Sequence, residues 1–244
     1  MDNGFSEARP RGEILFFFYH FLILISFRFD RIGSLCPRPR LGKFMSYHHI
    51  YNRGAHRSLV FLDNTDYLRM IKLLYLANQP QPFHLREIGE KNVFQVLRTE
   101  THVNIVAYCL MPNHIHIAVN AKTDLELDPG ITKFMHKLCT GYSMYFNKKY
   151  NHSGTVWEGP YKEKIGNDDD EYMRTLISYI HLNPYGIKEP SMTREARKEH
   201  PKEAFIYSIN YEYSSLQDYL GPEASPRVQQ PILCQKELRK WRWM

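Results

Sequence analysis

Cysteine is scarce and scattered in this chain. The four residues, Cys36, Cys109, Cys139 and Cys234, lie far apart, and no Cys-x-x-Cys pair occurs among the 244 positions. That spacing suits neither a zinc ribbon nor a disulfide framework, and Cys109, inside an apolar stretch, is expected to be a reduced core thiol. No internal repeat appears. Long apolar runs are missing too. The most apolar segment, ILFFFYHFLILISF at 14–27, contains His20 and is shorter than the ~18 residues of a spanning helix. Arg28, Asp30 and Arg31 follow it, with no small-x-small cleavage site. A signal-anchor reading competes with a simpler one: folded sequence begins near Met45, and residues 1–44 are an extension from a start codon placed too far upstream. No membrane association is expected, and the cytoplasm is the default compartment.

A strong charge bias is also absent. The net charge of +6 divides equally between residues 1–44 and the remaining 200. Such an excess permits a polyanionic partner without demanding one. What the chain does have is ordinary apolar content (43%) and many aromatics, including 17 tyrosines. It is long enough to bury a real core, as one domain with decorations or at most two small ones. Aromatic faces can stack nucleobases, although most tyrosines pack with a wet hydroxyl.

Periodicity gives a coarse order of elements. YHHIYNRG (47–54) alternates and ends in a turn, as a strand does. DNTDYLRMIKLLYLANQ (63–79) opens with capping candidates, repeats apolar residues at helical spacing and stops before Pro80. Residues 92–100 fit a strand or a short helix equally well. NIVAYCL and HIHIAV, joined by MPN, form a hairpin. Residues 131–150 read as a helix, 151–162 as a loop, and 168–184 as a helix whose acidic first turn suits the macrodipole. The sum is α+β, with helices packed on an antiparallel sheet.

Within the hairpin, His114 and His116 fall on one face of a strand and Ile115, Ile117 and Val119 on the other. Two imidazoles on one face can ligate a metal ion. Yet 12 histidines in this length give one such spacing about even odds by chance. In LISYIHLNP, Tyr179 and Asn183 stand one helical turn apart and can address the same neighbour. A phenol beside an amide oxygen and two imidazoles is a chemical assembly; a boundary tyrosine and a helix cap before Pro184 is the blander account. Neither is settled by spacing. Tyr172 is followed four residues later by Leu176, and Tyr145 by Lys149, so neither has a metal-ligating companion.

Five segments occur in order with fitting gaps: YHHIYNRGAHRSLVFLDNTDY, YCLMPNHIHIAV, YFNKKYNHSGTVWEGPYK, YIHLNPYGI and YEYSSLQDYLG. The set resembles the REP-associated tyrosine transposases, a branch of the single-strand HUH, IS200-like transposases, from about Tyr47 to Gly221. The resemblance implies a ferredoxin-like or RRM-like sheet with the catalytic tyrosine on a helix against it. It implies His114 and His116 as metal ligands, Asn183 as a third, and Tyr179 as nucleophile. The cofactor would be Mg²⁺, with Mn²⁺ able to substitute, and the substrate single-stranded hairpin DNA of repeated palindromic elements. The domain would span 45–221, with 222–244 a tail, and act as a monomer or homodimer. The sequence departs from the family where Pro160 follows WEG in place of a basic residue, and the apolar leader has no family counterpart.

For DNA contacts, Trp157, Tyr161 and Lys162 are expected from the loop and Arg53 from the end of the first strand. Tyr142 and Tyr145 are better read as core residues of an amphipathic helix. A non-catalytic nucleic-acid-binding module of the same fold, and a histidine-metal hydrolase using activated water, are the rival readings.

Overall fold

The computed structural model describes residues 46–89, 92–123, 128–166, 170–220 and 232–241. The expectations for residues 1–44 lie outside them. Among the described residues no helix is long and apolar enough to cross a membrane.

The chain runs β1 (Tyr47–Arg53), α1 (Asn64–Leu76), β2 (Asn104–Met111), β3 (His114–Asn120), α2 (Pro129–Tyr150), β4 (Lys162–Ile165) and α3 (Asp170–Leu182). Every strand pairing is antiparallel and the spatial order is β2-β3-β1-β4. Two interleaved β-α-β units of this order make the ferredoxin-like sheet. Residues 92–100, open in the sequence, hold a single 3₁₀ turn, Val93–Gln95.

The sheet has two unlike faces because side chains alternate along each strand. Ile50 pairs with Ile117, Asn52 with Ile115, and Tyr108 with Ile117 from the other side. This aliphatic face is covered by α1 and α2: Asn52 Nδ2 lies 3.9 Å from Cys139 Sγ of α2. Phe134, Leu138 and Tyr142 of α2, and Met70, Leu73 and Leu74 of α1, are fully buried in the same core. The opposite face carries the histidines and receives α3, whose Met173, Leu176, Ile177 and Ile180 recur at helical spacing and are buried.

Local signals explain the boundaries. Asp63 caps α1 in a reciprocal capping box with Asp66. Asp128 caps α2, with Pro129 in its first turn, so that helix starts two residues before the expected Ile131. Asn151 ends it in the left-handed conformation at φ 49°. A Cβ at Gly54, just past β1, would run into the Ser58 carbonyl oxygen, so the Asn-Arg-Gly turn needs its glycine.

The segment expected as a C-terminal tail folds back, and this corrects the domain boundary. Ile232, Leu233, Leu238 and Trp241 are buried in the main core, and a helix forms over Gln235–Trp241. Buried Glu237 accepts from Asn120 Nδ2 (2.8 Å), Trp241 Nε1 (3.1 Å) and the Tyr47 hydroxyl (3.2 Å). That carboxylate fastens the last helix to the start of β1 and the end of β3. Backbone bonds from Cys234 to Ile105, Leu110 to Tyr213 and Ser215 to Tyr108 cover the outer edge of β2.

An ion pair between the exposed Lys149 and the buried Asp66 joins α1 to α2. Lys149 Nζ lies 2.7 Å from Asp66 Oδ1 and 2.7 Å from Asp63 Oδ2. Asp66 also accepts from Leu62 N, Tyr150 and Tyr145 at 2.7, 2.7 and 2.9 Å. Burial alone would raise the Asp66 carboxyl, but the bonds from Lys149, Leu62 N, Tyr150 and Tyr145 outweigh it and hold it below its ordinary value. Stability from this group is therefore present above the ordinary carboxylate range and lost as pH falls through the lowered folded value. Lys149→Met should cost about 1–2 kcal/mol, because it removes the charged donor while Leu62 N, Tyr145 and Tyr150 still bond the Asp66 carboxylate. Urea titrations should show that loss at neutral pH, with acid unfolding starting at higher pH than in the parent protein.

Candidate active site

The register of β1 against β3 builds the site. Arg53 stands opposite His114, Tyr51 opposite His116 and His49 opposite Ala118, so these side chains share one face. On the other side of β1, Lys162 faces Tyr51 and Lys164 faces His49, adding two exposed cations to that face. Three cations that could meet a polyanion, Arg53, Lys162 and Lys164, thus sit around the imidazoles.

The rings of His114 and His116 are 4.9 Å apart and nearly perpendicular. His114 Nδ1 lies 2.6 Å from Asn113 Oδ1. Asn113 turns its Nδ2 to the Arg57 carbonyl oxygen at 3.4 Å, which leaves Oδ1 to accept from Nδ1–H of His114 and the Nε2 lone pair pointing elsewhere. Burial, and then the charge of Arg53, push the His114 imidazole down to about 4, so it is neutral near pH 7. His116 Nδ1 lies 2.9 Å from Nε2 of His49. α3 lays the Tyr179 ring edge-on against both, 5.5 Å from His116 and 5.8 Å from His49 between centroids. The phenol and the two-histidine strand therefore occupy one place.

Asn183 follows directly on the last residue of α3. Its backbone oxygen accepts from Gly186 N at 3.0 Å, while its side-chain Nδ2 is buried with no hydrogen-bond partner. Amide nitrogen and oxygen exchange by a half-turn, so this orphaned end can equally present Oδ1. Among the described residues no group of three or more His, Cys, Asp and Glu is arranged to hold a metal. The two imidazoles of β3 are the nitrogen donors that a cation on this face could use.

The other expected contact residues are dispersed. Arg53 and Lys162 are exposed on the histidine face, and Lys162 opens β4; it does not lie in a loop. Tyr161 is half-buried, its hydroxyl 3.4 Å from Thr132 of α2. Trp157 is a correction. It is 6% exposed, bridged to Gly54 and packed 5.8 Å from the Tyr142 ring, so its face is closed to a base. Tyr142 is fully buried and Tyr145 bonds Asp66, as core residues of α2.

His49, Tyr51 and Lys164 were not singled out from the sequence. The alternation of YHHIYNR places 47, 49, 51 and 53 together, and that was the available signal. Beyond Arg53 the chain leaves the sheet into a cleft of about 390 Å³, lined among others by His56, Ser58, Phe146 and His152. Positive-φ backbone occurs at His56 in its wall and at Arg57, Asn151 and Gly154 next to wall residues.

A ferredoxin-like α+β sheet with imidazoles and a phenol on one face is the class this geometry defines. The family model described as "Transposase IS200 like" matches residues 85–183. Over that segment, which includes His114, His116, Tyr179 and Asn183 but not β1, the chain resembles the IS200-like transposases, in agreement with its ordered motifs. Solved structures also match. One, described as "Structure of the REP associates tyrosine transposase bound to a REP hairpin", aligns at 13% identity and a TM-score of 0.43 over 79% of this chain and 89% of that one. No curated protein matches.

Replacing Trp157 by Ala should cost about 3 kcal/mol in stability, the price of a large core cavity. Filter-binding measurements should find single-strand DNA affinity unchanged in the folded fraction. A base-stacking role would instead weaken binding by roughly 1–3 kcal/mol.

Proposed function

We propose that the protein is a metal-dependent single-strand DNA endonuclease and strand transferase that works through Tyr179. The observation that carries this reading is the Tyr179 ring packed against His116 on the face that also holds His114. A phenol edge-on to His116, on a face that also carries exposed cations, suits a nucleophile acting on a phosphate.

In this mechanism the Tyr179 oxygen attacks the phosphorus of a single-stranded phosphodiester. The new O–P bond forms as the bond to the 3′ oxygen breaks; the phenolic proton departs, and the leaving oxygen takes one up as a 3′-hydroxyl. The product is a 5′-phosphotyrosine, still a diester, so a free 3′-hydroxyl can reverse the step without ATP. A phenol ordinarily ionises near pH ~10 and needs assistance at neutral pH. His114, His116 and Asn183 would hold a divalent cation: Mg²⁺ by the sequence resemblance, with Mn²⁺ favoured by imidazole ligands. Such an ion, when bound, polarises the scissile phosphate and draws charge from its non-bridging oxygens. Neutral His114, with its proton fixed on Nδ1 by Asn113, has a lone pair ready for that task.

Arg53, Lys162 and Lys164 would track the backbone across the face, while hairpin DNA of repeated palindromic elements as substrate follows from the sequence resemblance. A cytoplasmic setting and a monomer or homodimer accompany that reading.

Labelled single-stranded hairpin DNA incubated with Mn²⁺ and then denatured should leave a covalent protein–DNA adduct. Tyr179→Phe should abolish the adduct and keep binding. Cleavage that survives this substitution would point to activated water, and binding without cleavage in the parent protein would point to a non-catalytic module. Changing Arg53 or Lys162 to Ala should weaken binding across sequences and lower the salt slope by about 1 each.

A further inference from the structure

We propose that His49 is a positioning residue that fixes the tautomer of His116 and braces the Tyr179 ring. This rests on the reading of His114, His116 and Tyr179 given above. His49 lies diagonally across the β1–β3 ladder from His116, and its direct partner is Ala118, whose methyl leaves room for an imidazole to lean over. The two ring centroids are 5.1 Å apart with planes within 27°, while the nearest nitrogens are 2.9 Å apart. Those values put the rings edge to edge, as an in-plane N–H···N bond needs.

One proton occupies such a bond, and its owner decides what His116 can do. If His49 donates, neutral His116 carries its proton on Nε2 and presents no lone pair there. If His116 donates from Nδ1, its Nε2 carries the lone pair that a cation needs. The arrangement at His114 is parallel: its Nδ1 is engaged by Asn113. Both histidines of the pair are thus held at Nδ1 by a neighbour outside the pair, which is how ligating imidazoles are oriented. His49 is not a third ligand, since its Nε2 is directed at His116 and no trio of candidate ligands occurs among the described residues. The same ring meets Tyr179 edge-on at 5.8 Å and Tyr51 at 5.2 Å. One imidazole of β1 therefore links the cation pair to the phenol.

Nitrogen-15 NMR of the metal-free full chain reads the tautomer directly. The parent protein should show the His116 proton on Nδ1. His49→Ala should move it to Nε2, the form an unconstrained histidine side chain prefers, and His49→Gln, whose amide oxygen can accept the same bond, should restore it. Mn²⁺ affinity measured by electron paramagnetic resonance should fall about 10–100-fold in His49→Ala and recover in His49→Gln. The Mn²⁺ concentration for half-maximal adduct should rise in parallel, with metal-free DNA binding unchanged. A parent protein whose His116 carries its proton on Nε2 would overturn the proposal without any variant. So would a His49→Ala protein with unaltered tautomer and Mn²⁺ affinity, because His49 would then be packing alone. If the parent forms no adduct, the strand-transfer reading fails separately, and the tautomer and Mn²⁺ results still decide the role of His49.

Discussion

The β1–β3 register governs the molecule. Pairing Tyr51 with His116 and Ile50 with Ile117 sends His49, His114, His116 and Arg53 to one side of the sheet and the isoleucines, with buried His48, to the other. A slip of one residue would exchange the faces, burying charged and ionisable groups under α1 and α2 and exposing aliphatic ones. The aliphatic face supplies most of the burial that holds the fold together, so it also enforces the arrangement of the polar face. The core thereby places the histidines. α3 can dock on the polar face only because its own apolar stripe, Met173 to Ile180, reaches the remaining core and leaves Tyr179 at the boundary.

Much of this was legible in the residues. Alternation put His114 and His116 on one face; helical spacing and capping residues gave α1, α2 and α3 to within a few positions. The proximity of Tyr179 to the pair was an expectation from resemblance, and its geometry came from the structure. Long-range register was not legible. HHIYNR announces a strand, but nothing local says that its second histidine lies beside His116, because pairing partners are set by the whole sheet.

Other differences have the same origin. Residues flanking Trp157 are rich in glycine, serine and proline, which correctly indicates irregular backbone, yet a single bridge to Gly54 draws the indole inside. β4 is four residues of KEKI, too short and too charged to show a buried strand's pattern. The final helix has few apolar positions and depends on a buried carboxylate, Glu237, whose partners come from β1, β3 and the helix itself. Such a residue looks solvent-exposed until its partners are known.

The two margins of the sheet are treated differently. Along β2 the backbone is occupied by segments around Tyr213–Ser215 and Cys234. Along β4, among the described residues, the outer margin carries no strand, and it is short and studded with Lys162, Glu163 and Lys164. Unpaired strand margins recruit other strands unless they are brief or charged. A margin that is both brief and charged therefore discourages the sheet of a second copy from continuing this one, and keeps the chain from fusing edge to edge with its neighbours.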